Sequence, residues 1–376
     1  MENQKMERLG SLDVLRGFDL FCLVFFQPVL RSLGRAMNIP WMDSICSQFE
    51  HVQWEGFAFW DIIMPLFMFM AGVSMPFAFA KHLRTESKLQ LYKRVLKRVL
   101  LLFLFGMMCQ GNLLSFDPNR IFLYSNTLQA IAVGYLIAAV LLIHFQQKGQ
   151  LLITSGLLLL YWALLSFVQV NGFGGGNFTP DLNLAEYIDR VILGRFRDGS
   201  VLTETGLDFG KYRYTWIISS LNFGVTVMIG VFAGQLLKGD LSKIKKFQYL
   251  VFGGIAMILA GLLWGLQMPI IKHIWTSSMT LFSSGICFLL MALFYYLVDY
   301  RNYGKYLNWL KIYGMNSILA YLIYELVDFS SVTKSIFHGM EQFLGNYYFT
   351  LIKLGNVSIL FSILWLMYRK GKFLKV

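Results

Sequence analysis

Residues 57–80 read Phe57-Ala58-Phe59-Trp60-Asp61-Ile62-Ile63-Met64-Pro65-Leu66-Phe67-Met68-Phe69-Met70-Ala71-Gly72-Val73-Ser74-Met75-Pro76-Phe77-Ala78-Phe79-Ala80, with Asp61 the one charged side chain. A helix needs about 20 mostly apolar residues to cross the hydrocarbon of a bilayer. This stretch supplies them. The same signal recurs near 14–30, 95–113, 127–145, 151–169, 215–237, 248–267, 277–299, 312–329 and 347–368. The pattern predicts an all-α integral membrane protein: one transmembrane domain over residues 1–376, a bundle of about ten transmembrane helices.

Composition agrees. The chain is 56% hydrophobic and 14% charged, against about 25% charged in soluble domains. A soluble core cannot hide that much apolar surface, whereas a bilayer asks only that backbone polar groups bond internally. The 34 Phe and 19 Tyr fit lipid contact and interface anchoring. The net charge of +12 would suit nucleic acid, but the cations lie in short segments between apolar runs, so no nucleic-acid partner is expected. Cys22, Cys46, Cys109 and Cys287 form no CxxC, and His51, His82, His144, His273 and His338 form no HxxxH. Neither a disulfide framework nor a metal site is expected. No A-x-A site follows the first apolar run, so the first helix is expected to stay in the membrane.

The Lys and Arg bias sets an orientation. Counting from Lys5, Arg8 and Arg16, through the seven cations from Lys81 to Arg98, to the C-terminal group ending at Lys375, alternate segments collect 22 of the 33 Lys and Arg. The richer side is expected to be cytoplasmic, with both termini there. The opposite face then carries two long loops, about 31–56 and 170–214. The second opens with Gly172-Phe173-Gly174-Gly175-Gly176-Asn177, a turn rather than a phosphate loop because no Gly-Lys-Ser/Thr follows. It is expected to become helical from Leu184 to Leu193.

Charges inside a span cost at least about 2.5 kcal/mol each, which makes them functional candidates. Asp19, Asp61, Glu325 and Asp328 qualify, with the alternative that a helix-end residue reaches water; Asp13 and Arg16 are spaced to pair. The entrance to the second span, Glu50-His51-Val52-Gln53-Trp54-Glu55-Gly56, crowds a His, two Glu and a Trp at an interface. An imidazole there can act as a general base near neutral pH, or be merely hydrated. His51 and Asp61 are ten residues apart, which is about 15 Å if the stretch were all helix. Gln27, Asn126, Gln129, Asn222 and Asn316 could line a polar cavity, and Gly230 with Gly234 makes a small-xxx-small packing pair.

Five stretches, in order, resemble the heparan-alpha-glucosaminide N-acetyltransferase family: Arg8-Leu9-Gly10-Ser11-Leu12-Asp13-Val14-Leu15-Arg16-Gly17; His51-Val52-Gln53-Trp54-Glu55-Gly56 with Asp61, Pro65 and Gly72; Tyr187-Ile188-Asp189-Arg190 with Leu193-Gly194; Lys272-His273-Ile274-Trp275-Thr276-Ser277-Ser278; and Gly314-Met315-Asn316-Ser317-Ile318 with Tyr321 and Glu325. The resemblance implies a membrane acyltransferase that takes acetyl-CoA from the cytoplasm and acetylates an amino sugar or sugar hydroxyl on the opposite face. It implies that His51 is catalytic and that Asp61 supports it; Trp54, Glu55, Lys272, Trp275, Ser277 and Glu325 are expected to serve the acceptor, and Gln27, Asn126, Gln129 and Asn316 are candidate donors to the acceptor or the tetrahedral oxyanion. It also implies a homodimer, and the compact form suggests a bacterial inner membrane. Acetyl-CoA is expected as co-substrate, with no metal. Its phosphates suit the basic patch of Lys93, Arg94, Lys97 and Arg98, which positive-inside anchoring also explains.

The chain departs from the family pattern in four places. Gln27-Pro28 stands where Asn-Pro is usual, and the run from there to His51 is longer. Leu207-Asp208-Phe209-Gly210-Lys211-Tyr212 replaces Asp-Pro-Glu-Gly, and Tyr324 replaces a histidine. These bear on the acceptor more than on the reaction type. The competing reading is a secondary transporter of a sugar or amino sugar, which also explains ten spans and intramembrane carboxylates.

Overall fold

The computed structural model describes residues 9–210 and 214–374, and only the helical backbone of residues 80–84. Lys5, Arg8, Lys211, Tyr212, Lys375 and the side chains of Lys81, His82 and Arg84 lie outside the described residues.

The chain is mostly helical. Among the described residues, seven helices are long and apolar enough to cross a membrane: Phe59–Phe79, Thr127–His144, Gln147–Phe167, Ser219–Lys238, Lys243–Gly265, Ser277–Tyr300 and His338–Arg369. Each coincides with a span expected from sequence. The other three expected stretches are helical too, with features that set them apart. Gly10–Phe21 widens into a π-helix over Cys22–Leu30 and returns to α over Arg31–Met37. Pro28 lies inside the wide part, where a missing N–H and a bulky ring are more easily accommodated than in a tight α-turn. Lys88–Cys109 carries its cations in its first half, which shortens its apolar part. The ninth stretch breaks at Asn316, whose φ of −126° and ψ of 36° separate Asn308–Met315 from Ser317–Leu326.

Two compact units form. The first comprises the described residues of 9–52, 58–63 and 293–374. Its axis is a close crossing of the first helix with Asn308–Met315. A Cβ at Gly17 would collide with the Leu310 carbonyl, and one at Gly314 with the Asp13 carbonyl, so these helices meet backbone to backbone. The 31–56 segment, read from sequence as a loop, forms two short helices, Arg31–Met37 and Pro40–Ser47. Asn38 turns the chain with a φ of 50°, and Pro40 opens the second helix at a position where its missing N–H costs nothing.

The second unit comprises residues 53–57 and the described part of 64–292. Gly72, Gly230 and Gly234 lie where a Cβ would strike the carbonyls of Val227, Phe69 and Val73, respectively, so the small-xxx-small pair is a helix-packing device. The 170–214 segment holds two antiparallel hairpins and one helix. Gln169–Val170 pairs with Phe173–Gly174, Val201–Thr203 pairs with Gly206–Asp208, and the helix is Leu184–Leu193, as its sequence indicated. Asn183 caps that helix by accepting from Glu186 N at 2.8 Å.

Candidate active site

Two residues of the first unit form the most chemically organised pair. His51 Nδ1 and Asp61 Oδ1 are 2.7 Å apart. The stretch between them is irregular, not helical, which is why they meet instead of standing a helix-length apart. Asp61 opens the second span in a single 3₁₀ turn, Phe59–Ile62. Its second oxygen caps that turn, accepting from Ala58 N at 3.0 Å and from Val52 N at 3.5 Å. Gln48 braces the same turn: its carbonyl accepts from Trp60 N at 2.9 Å and its side chain from Phe59 N at 3.3 Å.

The burial of the two partners is unequal. The Asp61 side chain is 2% exposed and that of His51 42%. A buried carboxylate with both oxygens engaged has little freedom to move. It holds the imidazole with hydrogen on Nδ1 and the basic lone pair on Nε2. A half-exposed imidazole beside a fixed carboxylate is an arrangement that general-base chemistry can use. Trp60 lies beside the ring, with centroids 6.5 Å apart. Gln27 reaches the same segment, donating from Nε2 to the Phe49 carbonyl at 3.4 Å, a long bond.

With this geometry in place, comparison with known proteins is informative. Residues 8–173 match the heparan-alpha-glucosaminide N-acetyltransferase catalytic family. The mouse heparan-alpha-glucosaminide N-acetyltransferase is 26% identical over 85% of this chain and 54% of its own length. The human protein is 25% identical over 85% of this chain and 53% of its own. The chain is similar to the heparan-alpha-glucosaminide N-acetyltransferases. It spans about half the length of those relatives. The stretch matching the N-acetyltransferase family includes His51 and Asp61 and ends before Lys272.

The other motifs of N-acetyltransferase resemblance fall in both units. In the second, the chain at Glu55 bridges Ile271, and Gly56 N donates to the Ile270 carbonyl at 2.9 Å. That pairing brings Trp54 and Glu55 to the Lys272–Ser278 element. The Trp54 indole N–H donates to the Phe178 carbonyl at 2.8 Å, and its ring stacks on His273 at 5.2 Å. Lys272 is buried. Trp275 adopts a φ of 50°, donates to Thr226 Oγ1 at 3.2 Å and accepts from Asn222 Nδ2 at 2.8 Å through its carbonyl. Ser277 Oγ donates to the Leu158 carbonyl at 2.9 Å.

Several polar candidates are engaged with backbone. Asn126 caps Thr127–His144 by accepting from Leu128 N and Gln129 N, and donates to the Gly106 carbonyl. Gln129 accepts from Ser125 N at 2.7 Å and donates to the Leu123 carbonyl at 2.6 Å. In the first unit Asn316 donates to the Lys372 carbonyl at 3.1 Å and accepts from Leu374 N at 2.9 Å, tying down the C-terminal segment. Glu325 lines a cavity of about 440 Å³ with Tyr324, Asp328 and Lys353. Of the basic patch, Arg94 pairs with Glu86 at 2.6 Å, Arg98 lies 4.4 Å over the Tyr135 ring, and Lys97 is exposed.

Sequence reasoning missed one cluster. Around Leu184–Leu193, Glu186 accepts from Arg190 at 2.7 Å and from Arg197 at 2.6 Å, the latter pair fully buried. Asp189 accepts from Trp216 N at 2.7 Å and Ile217 N at 3.0 Å, and Asp198 accepts from the Trp216 indole at 3.1 Å. Burial pushes the Asp189 carboxyl up to about 7, against the pull of the Ile217 and Trp216 N–H groups and of Arg197. Trp216 in turn stacks between Tyr124 and Tyr214, and Tyr214 lies 4.4 Å from His273, so a row of rings joins this cluster to the Lys272–Ser278 element. Tyr187–Arg190 was visible as a motif, but Arg197 and Trp216 carry no local signal that marks them as its partners.

Proposed function

We propose that the chain is an acetyl-CoA-dependent acetyltransferase acting on an amino sugar or a sugar hydroxyl, with His51 as general base and Asp61 as its orienting carboxylate. The His51–Asp61 geometry carries this reading: a 2.7 Å contact between a half-exposed imidazole and a carboxylate that is only 2% exposed. An ammonium is not nucleophilic, so a base must take its proton before attack. His51 Nε2 accepts that proton. The acceptor nitrogen or oxygen then adds to the thioester carbonyl, the C–S bond breaks, the CoA sulfur leaves with the proton that His51 returns, and an amine acceptor's nitrogen releases its second proton to solvent.

The tetrahedral oxyanion needs a donor. Among the four amides considered from sequence, Gln27 is the best suited, because its bond to the Phe49 carbonyl is 3.4 Å and readily exchanged. Asn126, Gln129 and Asn316 already hold backbone groups at 3.3 Å or less. The reading has ten membrane crossings and both termini in the cytoplasm of a bacterial cell. Acetyl-CoA approaches from that side near Arg94, Lys97 and Arg98, and the acceptor from the other. A homodimer belongs to the same reading.

The test is incubation of the purified full chain with labelled acetyl-CoA and a panel of sugars led by glucosamine. Transfer that vanishes with His51→Ala supports the reading. No transfer to any sugar together with no acetyl-CoA binding overturns it, and uptake of labelled sugar into vesicles without acetyl-CoA would put a transporter in its place.

A further inference from the structure

Residues 27–36 line a basic cavity within the first unit. About 690 Å³ in volume, it lies between Arg31–Met37 and the start of the last helix, and its polar walls are Gln27, Arg31, Ser32, Arg35, Asn346 and Lys353. Thr350 Oγ1 and Ser32 Oγ are 3.2 Å apart, fastening the two helices and fixing the walls. The Arg31–Met37 helix is held from its other side, where Gly34 is buried against Met42 and Cys46 and the Cys46 thiol donates to the Leu30 carbonyl at 3.4 Å.

The charge balance inside this cavity is one-sided. Arg31 and Arg35 stand four apart on one helix face, an arrangement in which like charges repel. Arg31 is offset by Glu50 at 2.8 Å. Lys353 stands on the wall shared with the neighbouring cavity, which holds Glu325 and Asp328. Arg35 forms no ion pair among the described residues. The cavity thus holds a solvent-exposed guanidinium outside any ion pair among the described residues, with a second guanidinium, an ammonium, a hydroxyl and two amides around it. Guanidinium and ammonium donors in a concave site are what recognises a phosphate-class oxyanion. The cavity also adjoins the catalytic segment: Glu50 precedes His51 in the chain, and Gln27 both lines the cavity and bonds the Phe49 carbonyl.

We propose that the Arg31, Arg35 and Lys353 cavity is a subsite for a phosphate group, carried either by the acceptor sugar or by a phospholipid headgroup, seated beside the His51 segment. Only the identity of the sugar probe rests on the acetyltransferase reading.

Binding to the full chain in dodecyl maltoside is measured for glucosamine and for glucosamine 6-phosphate, and the melting midpoint is followed on adding phosphatidylglycerol. Charge-assisted hydrogen bonds from the cations should make glucosamine 6-phosphate bind about tenfold tighter than glucosamine, and Arg35→Gln and Lys353→Gln should each reduce that preference. A preference for the phosphorylated sugar that Arg35→Gln removes assigns the phosphate to the acceptor. A rise of the midpoint with phosphatidylglycerol that Arg35→Gln removes assigns it to lipid. Equal affinity for the two sugars with no response to the lipid overturns the proposal. So does loss of acetyl-CoA binding in Arg35→Gln, which would give these cations to the co-substrate. Because binding and melting need no turnover, a chain that bound the phosphorylated sugar but neither acetylated any sugar nor bound acetyl-CoA would retire the acetyltransferase reading and leave the subsite standing.

Discussion

Asp61 Oδ1 lies 2.7 Å from His51 Nδ1, while Asp61 Oδ2 caps the turn that opens the second span by accepting from Ala58 N at 3.0 Å. One carboxylate therefore does two jobs: it starts a helix and it fixes an imidazole. Asp61→Asn keeps the shape and loses the charge: its one oxygen can accept from either Nδ1–H or the cap, and its amide nitrogen can accept from neither. On the proposed acetyltransferase reading, turnover should fall by up to about 10⁴-fold, as for the orienting carboxylate of a catalytic triad, with a smaller change in KM. Steady-state kinetics with labelled acetyl-CoA measures this. In the His51→Ala, Asp61→Asn pair the losses should be far from additive, because the two act as a unit.

Asn316 breaks the ninth apolar stretch and spends its amide on Lys372 and Leu374. Asn316→Ala leaves two backbone groups without these partners, at a cost of about 1–3 kcal/mol for each that becomes buried and unsatisfied. Hydrogen exchange should quicken at residues 370–374, and the melting midpoint should drop. A role in binding the acceptor would instead raise KM without changing exchange there.

Glu186 and Arg197 form a buried ion pair at 2.6 Å. Arg197→Met alone leaves the acid facing a lost partner and should cost about 3–5 kcal/mol. Adding Glu186→Gln should recover part of that loss, since the buried acid is then neutral and Arg190, its remaining cationic partner, is partly exposed to water. Chemical or thermal denaturation of the single and double variants gives the comparison.

Asp189 titrates near 7 in the fold against an ordinary value of 3.8, because burial penalises its ionised form. From about pH 4 to about 7 the folded chain keeps this proton while the unfolded chain releases it, so this group's contribution to stability falls as pH rises through that window and levels off above it. The melting midpoint followed from pH 5 to 8 should show that decline. Asp189→Asn should flatten it, whatever it does to the absolute midpoint, because the amide does not titrate.

Gly17 and Gly314 let the first helix and Asn308–Met315 approach backbone to backbone. Gly314→Ala puts a methyl group into the Asp13 carbonyl, and neither backbone can retreat without separating the helices. The variant should fold poorly or melt much earlier, by more than the ~1 kcal/mol that an unobstructed change of this size produces. Ala at Gly156, where an added Cβ meets nothing within 4 Å, is the control and should be tolerated.

The chain itself determined the membrane-spanning character and seven of the helices, because long apolar runs have one low-energy home and a span's length is set by bilayer thickness. It also determined the Leu184–Leu193 helix, whose apolar spacing and Asn183 cap are local signals. His51 and Asp61 were legible as candidates, but not as a pair ten residues apart meeting at 2.7 Å. That distance follows from an irregular segment whose path is set by Gln48, Ala58 and Val52, not by any periodicity. The 31–56 segment looked like a loop, and Asn38 and Pro40 rule out one continuous helix through it. In the fold those two residues join two short helices, and Arg31 and Arg35 line a cavity with Lys353, more than 300 residues away in the chain. The same holds for Arg197 with Glu186 and for Asn316 with Lys372. Pairings between distant residues depend on which helices pack together, and tertiary packing alone decides which buried polar groups find partners.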